Sequence, residues 1–212
     1  MSTRLLIIRH GQTDWNIDRR FQGQTDVPLN AVGIMQAQAI SKRLVNEKPA
    51  AIYSSDLQRA WQTAEIIHQS LSRDNRCPMI SEPRLREMCF GEWEGLRYEE
   101  IQARQPHQLQ RWETDLENTA PPGGETLLNV AERVQETFNS LTEVHPDGTV
   151  LLVGHGGSLQ LLVSRALGIS PGRYWQVHLS NGSLSELRLY PEGAILMLLN
   201  STDHLKDIKW ES

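Results

Sequence analysis

The sequence predicts an α/β fold: a three-layer α/β/α sandwich with a mostly parallel central sheet and a short, mainly helical lid insertion. Two observations predict it. Apolar runs of strand length alternate with longer segments of helical period, the pattern of a parallel sheet covered by helices. Midway along the chain, a polar stretch of helical character is followed by the break "APPGGE", which sets residues 97–125 apart as an insertion beside the sheet.

The elements follow in order. A first strand is expected over residues 4–9, where "LLII" lies between Arg4 and Arg9. Asn30 is placed to cap a helix over 31–46, and Pro49 marks its end. A second strand is expected over 51–54. Ser55 or Asp56 is placed to cap the helix after it, in which Leu57, Trp61, Ala64, Ile67 and Leu71 recur at helical spacing. A third strand is read at 79–82. Residues 97–117 read as helical and polar, and a long helix is read from 126 to 144. Strands at 149–153, 183–190 and 194–200 complete the set. No fixed-period repeat or low-complexity tract interrupts it.

At 212 residues the chain can bury one substantial core, so residues 1–212 are expected to form a single domain with its insertion. Hydrophobic and charged fractions of 39% and 22% are ordinary for a globular protein, and no apolar run approaches eighteen residues, so no membrane partner is expected. The segment "MSTRLLIIRHG" is too short in its apolar part for a signal peptide, which points to a cytoplasmic location. Cys77 and Cys89 make no CxxC pair, in keeping with a reducing compartment. A net charge of −5 gives no footprint for nucleic acid. Any anion handled here must meet a local cluster of cations. A homodimer is compatible with the sequence.

Two segments carry the chemistry. "LLIIRHGQT" and "VLLVGHGGS" share the order apolar strand, His, Gly, turn, so His10 and His155 stand at equivalent strand ends and can meet across neighbouring strands. Ligand sites of α/β proteins lie at such carboxyl ends. Either histidine alone can simply bond a loop carbonyl. "SSDLQRAWQTAE" adds Arg59, one turn into a helix that starts at another strand end; its plain alternative is a surface arginine paired with Glu65 or Asp56. "LREMCFGEWEG" adds Glu87 after the third strand, whose plain alternative is a solvated acid. Together, Arg9, His10, Arg59, Glu87 and His155 suit a phosphate ester. Two planar guanidiniums orient and neutralise the phosphate, nearby cations keep His10 neutral and nucleophilic, and a carboxyl beside a dianion is pushed to its protonated form and can supply a leaving alkoxide with its proton.

The motifs "RHGQTDWN", "SSDLQRAWQTAE", "LREMCFGEWEG" and "VGHGG" closely resemble the histidine phosphatase superfamily, phosphoglycerate-mutase-like branch, in order over nearly the whole chain. The resemblance implies that His10 is the phosphorylated nucleophile. It implies that Arg9, Arg59 and His155 form the phosphate pocket and that Glu87 is the proton donor. It also implies that Asn16, Gln22, Gly23 and Gly156 line the pocket, and that neither metal nor cofactor is needed. Gln12 departs from the glutamate usual after "RHG", and little effect is expected.

Other phosphatase chemistries lack their residues. Neither cysteine has an arginine six positions on, there is no Asp-x-Asp, no Walker lysine loop and no GxSxG elbow, and no histidines pair as HxxxH. His68, His107, His145 and His178 read as surface or packing residues, and His204 is left open. Two rival functions remain: a cofactor-dependent phosphoglycerate mutase, and a non-catalytic module that holds a phosphorylated ligand. From Tyr98 to Glu125 the insertion offers only Arg104 and Arg111 against six acids, a poor receptor for a carboxylate. The expected partner is therefore a small phosphorylated metabolite that is hydrolysed. "LREMCFGEWEGLRYEEI" looks most like α-ribazole phosphatases and broad-specificity phosphatases, which makes α-ribazole 5′-phosphate the first named substrate. Trp93, Tyr98, Leu109 and Trp112 are available to cover a planar leaving group or to pack the lid.

Overall fold

A computed structural model describes residues 2–208. Its frame is a six-stranded sheet in the order β3-β2-β4-β1-β5-β6. The strands are β1 (Thr3–Arg9), β2 (Ala51–Ser54), β3 (Met79–Ser81), β4 (Thr149–Gly154), β5 (Leu184–Tyr190) and β6 (Gly193–Ser201). The first four in chain order are mutually parallel, while β5 runs antiparallel to both β1 and β6. The sheet is mostly parallel, as the alternating sequence pattern predicts, and all six expected strands are present.

Alternation along the central strand divides the core. Leu6 and Ile8 of β1 point to one face, where Ile40 of helix α2 (Ala31–Leu44) and Ala60, Ala64 and Ile67 of α3 (Gln58–Ser70) cover them. Leu5 and Ile7 point to the other, against Val130 and Val134 of α6 (Leu127–Val144) and Leu159 and Leu162 of α7 (Gly156–Ala166). Burying both faces leaves no polar alternation in the central strands, which is why they read as unbroken apolar runs. At the edge, β6 turns Ile195, Met197 and Leu199 to solvent.

Three local readings need correction. The helix expected over 97–117 is two, α4 (Tyr98–Arg104) and α5 (Pro106–Thr114), because Pro106 disfavours helical backbone at Gln105. Helix α3 is not capped by Ser55 or Asp56 as an N-cap residue. Leu57 stands at that position, and Asp26 Oδ1, from a distant loop, accepts the Gln58 N–H at 2.6 Å. A four-residue helix α1 (Asp14–Ile17), capped by Thr13, was not anticipated, nor was α7, whose first residues "GGS" carry turn character.

Candidate active site

The parallel register of β1 with β4 pairs Arg9 with Gly154, so the next residue of each strand, His10 and His155, arrive side by side at the carboxyl edge of the sheet. Their ring centroids lie 5.1 Å apart in an edge-on arrangement, and both side chains are buried. The two imidazoles meet across neighbouring strands as expected. His10 Nδ1 lies 2.6 Å from the Gly11 carbonyl oxygen. A carbonyl can only accept, so Nδ1 carries the hydrogen and the lone pair of the neutral ring is on Nε2. Burial, and then the charges of Arg59 and Arg9, hold the proton affinity of His10 well below the usual imidazole value. The nearby cations expected to keep His10 neutral contribute, but burial is the larger cause. His155 is depressed in the same way, again by burial first, and its Nε2 meets the Ser55 hydroxyl at 2.8 Å.

The two arginines are gripped by carbonyls and by no acid. Arg9 Nη1 donates to Leu179 O at 2.6 Å, and Arg59 donates from Nη1 to Thr25 O at 2.9 Å and from Nη2 to Gly23 O at 2.7 Å. Arg9 Nε, Arg59 Nε and His155 Nδ1 are buried and have no hydrogen-bond partner among the described residues. Buried polar atoms are nearly always paired, so three orphans around one histidine are unusual for packing alone. The plain alternative for Arg59 does not hold. It is 1% exposed, while Asp56 pairs with Arg86 and Glu65 accepts from Trp61 Nε1. Burial lowers its pKa to about 10, which leaves it charged at neutral pH.

The loop that holds Arg59 is itself braced. Gly23 has φ +53°, and a Cβ there would collide with Glu94 Oε1, so glycine lets this carboxylate reach the Gln24 N–H, the Phe90 N–H and the Thr25 hydroxyl. Glu94 is thereby occupied as a support. Glu87 sits elsewhere, at the N-terminus of α7, accepting from Gly157 N at 3.0 Å, Ser158 N at 3.1 Å and Met88 N at 2.9 Å. Helix N-termini favour negative charge, which fixes this carboxylate close to the histidine pair.

A cavity of about 300 Å³ opens above His10. Among the residues lining it are Arg9, Asn16, Gln22, Gly23, Arg59 and Glu87. The carbonyl oxygens of Asn16 and Gln22 each lie 3.0 Å from the Thr13 hydroxyl, which leaves their amide N–H groups as the ends available to the cavity. His155 is not among the lining residues; it stands edge-on beside His10, its Nδ1 unpartnered among the described residues. Gly156 does not line it either. It is the first residue of α7, where a Cβ would stand 3.4 Å from the Arg9 guanidinium carbon. Arg19, Arg20, Phe21 and Phe90 also line the cavity, and the sequence reading singled out none of them. Two cations at this cavity, Arg19 and Arg20, follow α1 and lie outside the insertion.

Of the four residues that could cover a leaving group or pack the lid, Trp93, Leu109 and Trp112 pack it. Trp93 and Leu109 are buried with Ile101 against Phe21, Phe90, Leu96 and Trp112, and Tyr98 is an exposed residue whose hydroxyl donates to Glu113. His68, His145 and His178 bond Cys77 O, Tyr53 Oη and Ser180 Oγ. His204 Nε2 donates to Gly182 O at 2.8 Å, and Gly182 N in turn donates to the carbonyls of Arg9 and His10. This loop, with Asn181 Nδ2 3.1 Å from His10 O, supports the site and was not legible in sequence. Gln12 is buried, with its Oε1 accepting from Asn30. Among the described residues no group of three or more His, Cys, Asp or Glu side chains is arranged to hold a metal ion, and no helix is long and apolar enough to cross a membrane.

The family model described as histidine phosphatase superfamily (branch 1) matches residues 5–202. The chain belongs to the histidine phosphatase superfamily. This histidine phosphatase is 35% identical over 211 residues to the protein named "Probable phosphoglycerate mutase" in Proteus mirabilis, covering 95% of this chain and 94% of that one. It is 33% identical to the metal-independent phosphoserine phosphatase of Arabidopsis thaliana, over 97% of this chain and 84% of the relative. The crystal structure of the α-ribazole phosphatase from Shigella flexneri superimposes with a TM-score of 0.86 at 31% identity, covering 93% of this chain and 96% of the other.

Proposed function

We propose that this histidine phosphatase hydrolyses small phosphomonoesters through a phosphohistidine on His10, releasing inorganic phosphate. The observation that carries the reading is the conjunction of an Nε2 lone pair, fixed by the bond from Nδ1 to Gly11 O, with three unpartnered buried polar atoms around it. Arg9, Arg59 and His155 bind the phosphate oxygens, and the amides of Asn16 and Gln22 complete the cradle. His10 Nε2 attacks phosphorus as the bond to the ester oxygen breaks, and the Glu87 carboxyl passes a proton to the departing alkoxide. In the second half-reaction the Glu87 carboxylate takes a proton from water, whose oxygen attacks phosphorus and frees His10. Phosphate monoesters are slow enough to need accelerations of up to about 10²¹, and one aimed donor supplies roughly 3–4 kcal/mol, so several groups must act together.

The test is the intermediate itself. Protein quenched after incubation with a phosphorylated substrate should hold one acid-labile, alkali-stable phosphoryl group, and His10→Ala should hold none. Label retained by that variant would move the nucleophile elsewhere. For the substrate, phosphate release from α-ribazole 5′-phosphate, phosphoserine and 3-phosphoglycerate is to be compared with mutase turnover in the presence of 2,3-bisphosphoglycerate. The relative in P. mirabilis makes the mutase arm necessary, and mutase turnover far above every hydrolytic rate would overturn the hydrolase reading.

A further inference from the structure

Helix α1 ends in an unusual way. The Arg20 N–H bonds back to Trp15 O at 3.0 Å and the Arg19 N–H to Asn16 O at 3.3 Å, the double closure of a Schellman motif. That motif places the residue after the cap in the left-handed region, a position normally given to glycine, yet here it is Arg19, with φ +54°. Arginine is disfavoured there by its own backbone, so the side chain must contribute something a glycine would not.

Arg19 is exposed, lines the mouth of the cavity above His10, and makes no ion pair or side-chain hydrogen bond among the described residues. The other mouth cation differs. Arg20 is committed to Gly95 O at 2.6 Å and to Asp18 and Glu100. The acid nearest in sequence to Arg19, Asp18, is itself taken by Arg20 and Arg97. One cation at the cavity mouth is therefore left uncommitted. A single guanidinium matches one planar, singly charged anion in bidentate fashion, whereas the phosphate at the floor has two arginines of its own. A cavity of about 300 Å³ lies at the small end for ligand sites, so that anion must belong to the same compact molecule as the phosphate.

We infer that Arg19 is a specificity-determining residue that selects phosphomonoesters carrying a carboxylate beside the ester. The inference deepens the proposed phosphatase reading and rests on it for turnover. It ranks 3-phosphoglycerate and phosphoserine above α-ribazole 5′-phosphate as substrates, and it places a carboxylate receptor just after α1, outside the insertion that offers a carboxylate little help.

The matched pair 3-phosphoglycerate and glycerol 3-phosphate, which differ by a carboxylate in place of a hydroxymethyl group, tests it. The ratio of their kcat/KM values should favour the carboxylate in the wild-type protein. It should fall about tenfold in Arg19→Gly, the scale of one charge-assisted hydrogen bond, and be largely kept in Arg19→Lys. The loss should sit in KM, and the wild-type preference should shrink with added salt, because the pair forms at an exposed mouth. Arg19→Gly suits its backbone position, so its melting temperature should equal or exceed that of the wild type. An unchanged ratio, or equal losses on both esters, overturns the inference. Failure of the phosphatase reading looks different: no ester releases phosphate, and the ratio of calorimetric Kd values for the same two esters then decides on Arg19 alone.

Discussion

Replacing Gly157 by alanine should slow hydrolysis of alkyl phosphates about a hundredfold while leaving the fold intact. Gly157 is the second residue of α7, and a Cβ there would lie 2.6 Å from Glu87 Oε1, where ordinary contact begins near 3.4 Å. The carboxylate must retreat by about 0.8 Å. Its bonds from Gly157 N and Ser158 N, now 3.0 and 3.1 Å, then stretch beyond useful range. Losing each such bond to a charged group costs about 1.5–3 kcal/mol, while alanine is favoured over glycine in a helix by about 1 kcal/mol. The net loss for the two bonds, about 2–5 kcal/mol, corresponds to a fall of about 4–20 °C in melting temperature for a chain of this size. Catalysis suffers as well, since a displacement near 1 Å in a positioned group can cost about 10² in rate. The assay is steady-state kcat on an alkyl phosphate and on p-nitrophenyl phosphate, beside thermal melts. An unchanged alkyl rate in a folded variant, or equal losses on both esters, would refute the assignment of Glu87 and its seat on α7.

Glu87→Gln should slow alkyl phosphates by about 10²–10⁴ but p-nitrophenyl phosphate much less, because nitrophenolate leaves without a proton; equal losses would put the acid elsewhere. Ser55→Ala strands His155 Nε2 in a buried site, and should cost about 1–3 kcal/mol in denaturant unfolding together with a loss in kcat/KM; wild-type values for both would show that this bond positions nothing. For His10 and His155, the folded pKa lies below the unfolded value near 6.5, so the stability gained by keeping them neutral is complete above that value and drains away as pH falls. Imidazole resonances followed by NMR should accordingly show both rings neutral at pH 6, and protonation near 6.5 would contradict the burial argument. Activity should survive EDTA; a loss restored by Mg²⁺ or Zn²⁺ would overturn the metal-free mechanism.

What the sequence disclosed and what it withheld have a common physical cause. His10 and His155 were legible because each ends an apolar run in a fixed order, and parallel pairing converts equal positions in two strands into neighbours. Arg59 and Glu87 were legible through motif resemblance, since the roles proposed for them, phosphate ligand and acid, depend on side-chain type. Arg19 was not, because its value comes from a helix of four residues too short to leave a periodic trace. Ser55 was noticed only as a cap for α3, whereas its hydroxyl points across the sheet to a residue a hundred positions away. The carbonyls of Gly23, Thr25 and Leu179 do their part through backbone atoms, which any residue supplies and no sequence pattern records. Trp93 and Leu109 left two roles open in the sequence, a cover for the leaving group or packing, and the structure has them fill the space under α4 and α5.

The placement of β1 also governs how the molecule comes into being. The first strand of the chain lies between β4 and β5, and its carboxyl end is propped by Asn181 and Gly182. In synthesis, His10 therefore leaves the ribosome well before the residues of β4 and β5 that surround it. For most of synthesis β1 has neither neighbour, and its apolar stretch must wait as an unpaired edge, the state most exposed to misassociation. Such long-range pairing makes folding slow. It also means that a chain made only as far as β3 holds no complete site: the His10 imidazole gains His155 beside it and the brace beneath its carbonyl only once β4 and the loop before β5 have followed.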